Sequence, residues 1–353
     1  MSVVFAIIIF SLLIFVHELG HFVAAKLSGV QVNEFSMFMG PAIWKKQIGD
    51  TQYSLRCIPF GGYCAMEGED SDTDNPHSFQ KAAWWKRLII LGAGAFMNFV
   101  TGLLIFSVLY MPIKQIPAPV ITQFTDCCIF NNEQGLQLGD EILEIDDEKV
   151  YLNSDVSLLL TINPQVKHDI VVLRNGQRLE FRDLQMGHTH VNEEGQEYIH
   201  YGFGYGQTRQ LSFFGRVKNV WNVMADNVRM VRLSLQMLLT GQAGLSDVSG
   251  PVGIVQIMSD VASSADTKAD AILNLLSLGG MLAVNLAVMN LLPIPALDGG
   301  RIVGLLLTTT IEGITKKKIN PKYEGYIHGI GMVALLGLMA LIFFKDIFVI
   351  FKG

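Results

Sequence analysis

The sequence is short of charge. Asp, Glu, Lys and Arg make up 16% of its 353 residues and hydrophobic residues make up 50%, whereas an ordinary soluble domain carries roughly 25% charged residues. Too little charge is present to cover a large water-facing surface, so the composition points to an integral membrane protein with a soluble insert. Basic charge is scarcer still: 26 Lys and Arg stand against 32 Asp and Glu, a net charge of −6. Nucleic acid is therefore excluded as a partner, because phosphate recognition needs clustered Lys and Arg. Cysteine is scarce as well. Cys57 and Cys64 lie in one polar stretch, Cys127 and Cys128 are adjacent, and no CxxC occurs. Neither a thiol redox motif nor a cysteine zinc site is suggested, and four unpaired thiols are expected. Ser2 to Val16 lacks a basic n-region and no A-x-A-like site follows, so this stretch is expected to be retained rather than cleaved as a signal peptide.

What is present is a set of apolar runs. Val3–Leu27, Leu88–Met111 and Tyr326–Phe351 each come close to the roughly 20 residues that cross a bilayer core. A further run, Ala271–Leu297, carries Asn274, Asn285, Asn290, Pro293 and Pro295. Polar and helix-breaking residues are tolerated at membrane depth only against protein or a water-filled cavity, so this run is expected to line a site rather than face lipid.

Basic residues orient the bundle. Lys26, Lys45, Lys46, Arg56, Lys81, Lys86 and Arg87 precede the second run, and Arg301, Lys316, Lys317, Lys318 and Lys322 precede the last. The positive-inside rule places both loops in the cytoplasm and both termini outside, with residues 112 to 270 also outside. In the first loop, Glu34–Met39 and Thr51–Arg56 read as strands joined near Gly49-Asp50, and Pro59 to Tyr63 punctuates the chain. Glu67 to Asp74 is an acidic surface run without an assigned function.

In the outer region Pro117-Ala118-Pro119 reads as a linker. Val120–Thr122, Glu141–Ile145, Ile170–Arg174 and Leu179–Phe181 read as strands, with a hairpin turn at Asn175-Gly176. Ser154–Thr161 reads as a helix capped by Asn153 or Ser154. Phe213–Leu239 is amphipathic, with Val217, Val220, Trp221, Met224, Val228, Val231 and Leu235 on one face. His188, His190 and His200 are expected to be surface β histidines, and His77, His168 and His328 show no partner spacing.

The chemistry sits in His17-Glu18-Leu19-Gly20-His21. On a helix, residues four apart share a face, so both imidazoles can bind one zinc while Glu18 stands beside it as general base. The motif lies inside an apolar run, where inserting an ionisable group costs at least about 2.5 kcal/mol and marks a functional site by default. A catalytic zinc needs a third protein ligand and an open water position. Asp298 is the expected third ligand, because the proline-broken run descends to the depth of His17 and His21. Its competing role is capping the helix that begins near Gly300. Asn98, Asn285 and Asn290 are membrane-depth amides available for an oxyanion or a substrate backbone.

These segments resemble the bacterial site-two protease type of intramembrane zinc metalloprotease, the regulator-of-sigma-factor branch. The resemblance rests on Phe15 to Phe22, Ser54 to Tyr63, Gly94-Ala95-Phe96-Met97-Asn98, Ser249 to Ile254, and Asn290 to Gly300. It implies a polytopic α-helical membrane protein of about four transmembrane helices, with a membrane-associated β-hairpin and a small β-rich PDZ domain. Residues 1–111 would hold the HExxH helix, hairpin and second span; 112–210 the PDZ domain outside; 211–270 an amphipathic helical linker; and 271–353 the LDG segment and last span. It implies a zinc ion on His17, His21 and Asp298, with Glu18 catalytic and Asn98, Asn285 and Asn290 holding substrate. Gly135 to Ile142 resembles the "GLQxGD" stretch of bacterial PDZ domains, of which this chain has room for one. The implied partners are membrane lipid and transmembrane proteins pre-trimmed by another protease, such as anti-sigma factors and remnant signal peptides, cut in the cytoplasmic membrane.

Overall fold

The computed structural model describes residues 2–69, 73–125, 135–191, 197–244, 248–316 and 322–352. Cys127, Cys128, Lys317, Lys318 and part of the acidic run lie outside them. The chain divides into two compact units, residues 1–105 with 227–353, and residues 106–226.

The first unit begins with α1 (Ser2–Ser28), followed by β1 (Val32–Ile48), β2 (Thr51–Met66) and α2 (Trp84–Tyr110). α1 serves two cores. Ala6 and Leu13 pack with Met258, Leu275, Leu282 and Ala283, while Ala24 and Ala25 pack with Phe35, Met66, Ile90, Leu91 and Leu305. Its other faces are open: Ile8, Leu12 and Leu27 are exposed, as are Phe96, Leu104 and Val108 of α2. Helices that are apolar all round need a hydrocarbon surrounding, and four among the described residues are long and apolar enough to cross a membrane: Phe5–Ser28, Trp84–Tyr110, Lys268–Asn290 and Gly325–Phe348.

β1 and β2 form a longer ribbon than the alternation predicts. The turn falls at Gly49-Asp50, but β2 runs straight through Pro59 to Tyr63. The reason is a bent ribbon rather than a stop. Residues 34–37 lie opposite both 52–55 and 62–65, and positive φ angles at Phe38, Gly40 and Gly61 absorb the bends. Glu34 fixes this ribbon. Burial opposes its charge, but hydrogen bonds from Ser54 at 2.5 Å and Arg56 at 2.8 Å, with a further one from Tyr63, hold its carboxyl down to about 2. Burial and then Glu34 push the Tyr63 hydroxyl up to about 12. Glu34's contribution is therefore fully present above the ordinary carboxylate pKa and is lost as pH falls through about 2.

The second unit carries β3 (Gln115–Phe124), β4 (Glu141–Ile145), β5 (Glu148–Lys149), α3 (Asn153–Ile162), β6 (Lys167–Arg174), β7 (Gln177–Gln185), β8 (Gly187–Val191), β9 (Glu197–Tyr201) and β10 (Phe203–Gln210). The main sheet runs β10-β3-β4-β6-β7 with β5 beside β4, and β8 pairs with β9 separately. The four expected strands fall inside β3, β4, β6 and β7, and Asn175 and Gly176 adopt the positive φ angles of a tight hairpin turn. Three expectations change. Pro117-Ala118-Pro119 is no linker but part of β3, paired to β10; β4 joins β3 only at Val120, so the prolines occupy a stretch open on its other side. The cap of α3 is Leu152, and Asp155 accepts the backbone N–H groups of Tyr151 and Leu152 at 2.7 and 2.9 Å. His168 is buried and partnered, with Nδ1 2.7 Å from Asp146 and Nε2 3.1 Å from the Tyr201 hydroxyl. Asp140 is buried in the GLQxGD stretch, where it accepts from Arg174 and from the Gln137 N–H.

α4 (Phe213–Thr240) buries Val220, Val223, Met224 and Val231 but exposes Val217 and Trp221, so its buried face is narrower than the sequence suggests. The first unit, which resumes at Asn227 within α4, continues with α5 (Pro251–Ser263), α6 (Lys268–Asn290), α7 (Asp298–Thr315) and α8 (Lys322–Lys352). α6 starts at Thr267, whose hydroxyl accepts the Asp270 N–H, a cap contributing about 1 kcal/mol. It stops at Asn290, eight residues before Asp298. The polar, proline-broken end of the fourth apolar run is thus a separate turn.

Candidate metal centre

One turn of α1 separates His17 from His21, and their rings stand edge to face with centroids 4.8 Å apart. Their Nε2 atoms are 3.2 Å apart. Asp298 Oδ2 lies 3.1 Å from the first and 3.3 Å from the second. A four-coordinate zinc with bonds of about 2.0–2.1 Å sets its ligand atoms about 3.3–3.4 Å apart. The triangle therefore has the size of three corners of such a tetrahedron. Asp298 Oδ2 is buried yet accepts no well-directed hydrogen bond, as befits an oxygen aimed at a shared centre rather than at either imidazole. Two imidazoles and one carboxylate fit a zinc ion, and among the described residues no other His, Cys, Asp and Glu group converges in this way.

The surrounding backbone fixes these atoms. His21 Nδ1 donates to the Ile90 carbonyl of α2 at 2.8 Å, which leaves Nε2 as the free lone pair. α2 approaches this closely because position 94 is glycine: a Cβ there would fall 2.3 Å from His21 Nε2 and 2.8 Å from His17 Nε2. The Asn98 amide, one turn further along α2, lies 3.4 Å from His17 Nδ1 and is almost fully buried. On the third side, Gly299 lets α7 tuck beneath its own preceding turn, where a Cβ would meet the Leu291 and Leu292 backbone at 2.3 Å. Asp298 is the first residue of α7 and Leu297 its cap, so the capping role fails for Asp298.

Glu18 points from the same helix toward the ribbon. It accepts the backbone N–H of Cys64, and a Cβ at Gly62 would sit 3.5 Å from its Cγ. Burial and then Glu18 push the Cys64 thiol up, so this cysteine stays protonated. The side chains of His17, His21 and Asp298 keep 12, 9 and 19% of their exposure. Asn285 and Asn290 lie half-buried on α6, outside the three-atom cluster. The Ile90 carbonyl and the Cys64 N–H have no signature in sequence, because any residue supplies them.

The sequence profile described as Peptidase family M50 matches residues 5–338. A Clostridium perfringens protein named as a zinc metalloprotease is 35% identical over 348 residues, covering 98% of both chains. The regulator of sigma-W protease RasP of Bacillus subtilis is 27% identical over 432 residues, again covering 98% of both. The zinc metalloprotease RasP of Oceanobacillus iheyensis is 27% identical, with the same coverage.

Proposed function

The chain belongs to peptidase family M50, the site-2 protease family of zinc metalloendopeptidases, and from that premise we propose that it cuts peptide bonds inside transmembrane segments of single-pass membrane proteins. The observation that carries this reading is the His17, His21 and Asp298 triangle, which has zinc dimensions and takes both histidines from a helix long and apolar enough to cross a bilayer. His17, His21 and Asp298 would hold the ion, which supplies an acidified water, with a pKa near 7, and polarises the scissile carbonyl. Glu18 accepts the proton from the attacking water and returns it to the leaving amine. Asn285 and Asn290 hold the substrate backbone, and the β1–β2 ribbon presents an edge to the unwound segment by strand addition.

The second unit acts as a single PDZ domain outside the cytoplasmic membrane, and the centre opens toward the cytoplasm, as the basic loops support. The substrates are anti-sigma factors, in keeping with the sigma-W regulation named for the Bacillus relative, and remnant signal peptides, both already shortened by another protease. The test uses the whole chain in lipid nanodiscs with a single-pass test substrate. One zinc per chain, cleavage stopped by 1,10-phenanthroline and restored by zinc, and a cut mapped by mass spectrometry inside the apolar span are expected. A cut confined to the water-exposed flank overturns the intramembrane reading.

Asn98 takes a more specific part. An imidazole that gives Nε2 to a metal carries its proton on Nδ1 and needs an acceptor there. A half-turn of the Asn98 amide brings Oδ1, which has no hydrogen-bond partner among the described residues, to His17 Nδ1. Asn98→Asp keeps an acceptor at that position, and Asn98→Leu removes it at nearly constant volume. The Leu variant is expected to bind zinc about 10–100-fold more weakly and the Asp variant to retain it, as read by chelator competition. If both lose cleavage and keep zinc, Asn98 serves the substrate alone.

A further inference from the structure

Between Asn290, the last residue of α6, and Asp298, the first of α7, seven residues must aim a carboxylate at two histidines on another helix. Within them Ala296 has φ +83°, a backbone conformation that residues with a Cβ adopt only when their surroundings over-determine it. The last helix supplies two such determinants. His328 Nδ1 accepts the Ala296 N–H at 3.2 Å. Gly331 lies so close to the turn that a Cβ there would fall 2.3 Å from the Pro295 Cβ and 2.8 Å from its carbonyl carbon and oxygen. Three residues apart, His328 and Gly331 share one face of α8.

We propose that His328 is a positioning residue of the metal centre, holding Ala296 in its strained conformation so that Asp298 meets His17 and His21. The imidazole does not touch the ligand atoms. It acts through the backbone two residues before Asp298, with the close approach at Gly331 pinning the adjacent Pro295. The accepting Nδ1 requires the ring proton to sit on Nε2, so the side chain works as a neutral acceptor at a fixed distance. Asparagine places its Oδ1 near the position of a histidine Nδ1; leucine fills the volume and accepts nothing. This role rests on the assignment of Asp298 as a ligand but not on the nature of the substrate.

The experiment measures zinc affinity by chelator competition, and the visible spectrum of the cobalt-substituted protein, on the full chain in nanodiscs without substrate. His328→Leu is expected to weaken zinc binding about 10–100-fold and to alter the cobalt bands of the four-coordinate site. His328→Asn is expected to restore both to near the unsubstituted values, which a general packing role would not do. Gly331→Ala is expected to repeat the leucine effect through Pro295, and it carries the test should His328→Leu fail to fold. Unchanged zinc affinity and cobalt spectrum in His328→Leu overturn the proposal, as does a His328→Asn variant that folds but behaves like leucine. Because no substrate is present, failure of the unsubstituted protein to cleave would overturn the protease reading alone. Absence of zinc from the unsubstituted protein would remove the centre itself.

Discussion

Glu18→Gln is expected to lower turnover of a transmembrane substrate by about 10²–10⁴-fold, the usual worth of a general acid–base group, while the zinc content stays at that of the unsubstituted protein. Glutamine keeps the shape of the side chain and an oxygen for the Cys64 N–H that Glu18 accepts, so the ribbon stays docked on α1. What it cannot do is take a proton from water and hand it on. The effect should fall on kcat, with KM little changed, because in the proposed mechanism Glu18 meets the attacking water rather than the helix being held. Single-turnover assays with the enzyme in excess, varied up to saturation, separate the two. A glutamine variant that turns over at the unsubstituted rate would remove Glu18 from the chemistry, and one that loses zinc would make it structural instead.

Gly94→Ala is expected to abolish both zinc binding and cleavage through a single added methyl group. The added Cβ lands 2.3 Å from His21 Nε2 and 2.7 Å from His17 Cε1, inside any normal contact distance. α2 must retreat, or both rings must turn, and either movement breaks the triangle. Intrinsic propensity runs the other way: alanine in place of a mid-helix glycine favours the helix by roughly 0.5–1 kcal/mol. Lost metal with an undiminished helical signal therefore identifies a blocked centre rather than an unfolded one. Gly92→Ala is the control, because a Cβ there meets nothing within 4 Å. Zinc per chain by mass spectrometry, alongside circular dichroism, decides the matter. A zinc-loaded Gly94→Ala protein would mean that the two helices do not approach as closely as described.

Much of the centre is legible in the sequence, and the legible part is local. His17, Glu18 and His21 announce themselves because helical spacing puts the two imidazoles on one face and an apolar run makes them expensive to bury without use. Asp298 follows from depth and from the proline-broken run, although the helix ends sooner than that run suggests. Partners far apart in sequence are not legible. Asn98 meets His17 across 81 positions and His328 meets Ala296 across 32, and no periodicity encodes either meeting. His168 lacks partner spacing for the same reason, since Asp146 and Tyr201 reach it through sheet and loop geometry. Pro59 and Pro117 mislead in the opposite direction. Proline reads as punctuation, yet here both continue a strand where the ladder bends or lies open on one side.

The arrangement of the proposed ligands along the chain also sets a clock. Two of them leave the ribosome with the first helix, and the third follows 277 residues after His21. At about 5–20 residues per second, the first helix waits on the order of 14–55 s before Asp298 exists. Throughout that interval the nascent chain carries the histidine pair without its third partner. In the proposed centre, chain order by itself thus withholds the third ligand until most of the bundle has been made.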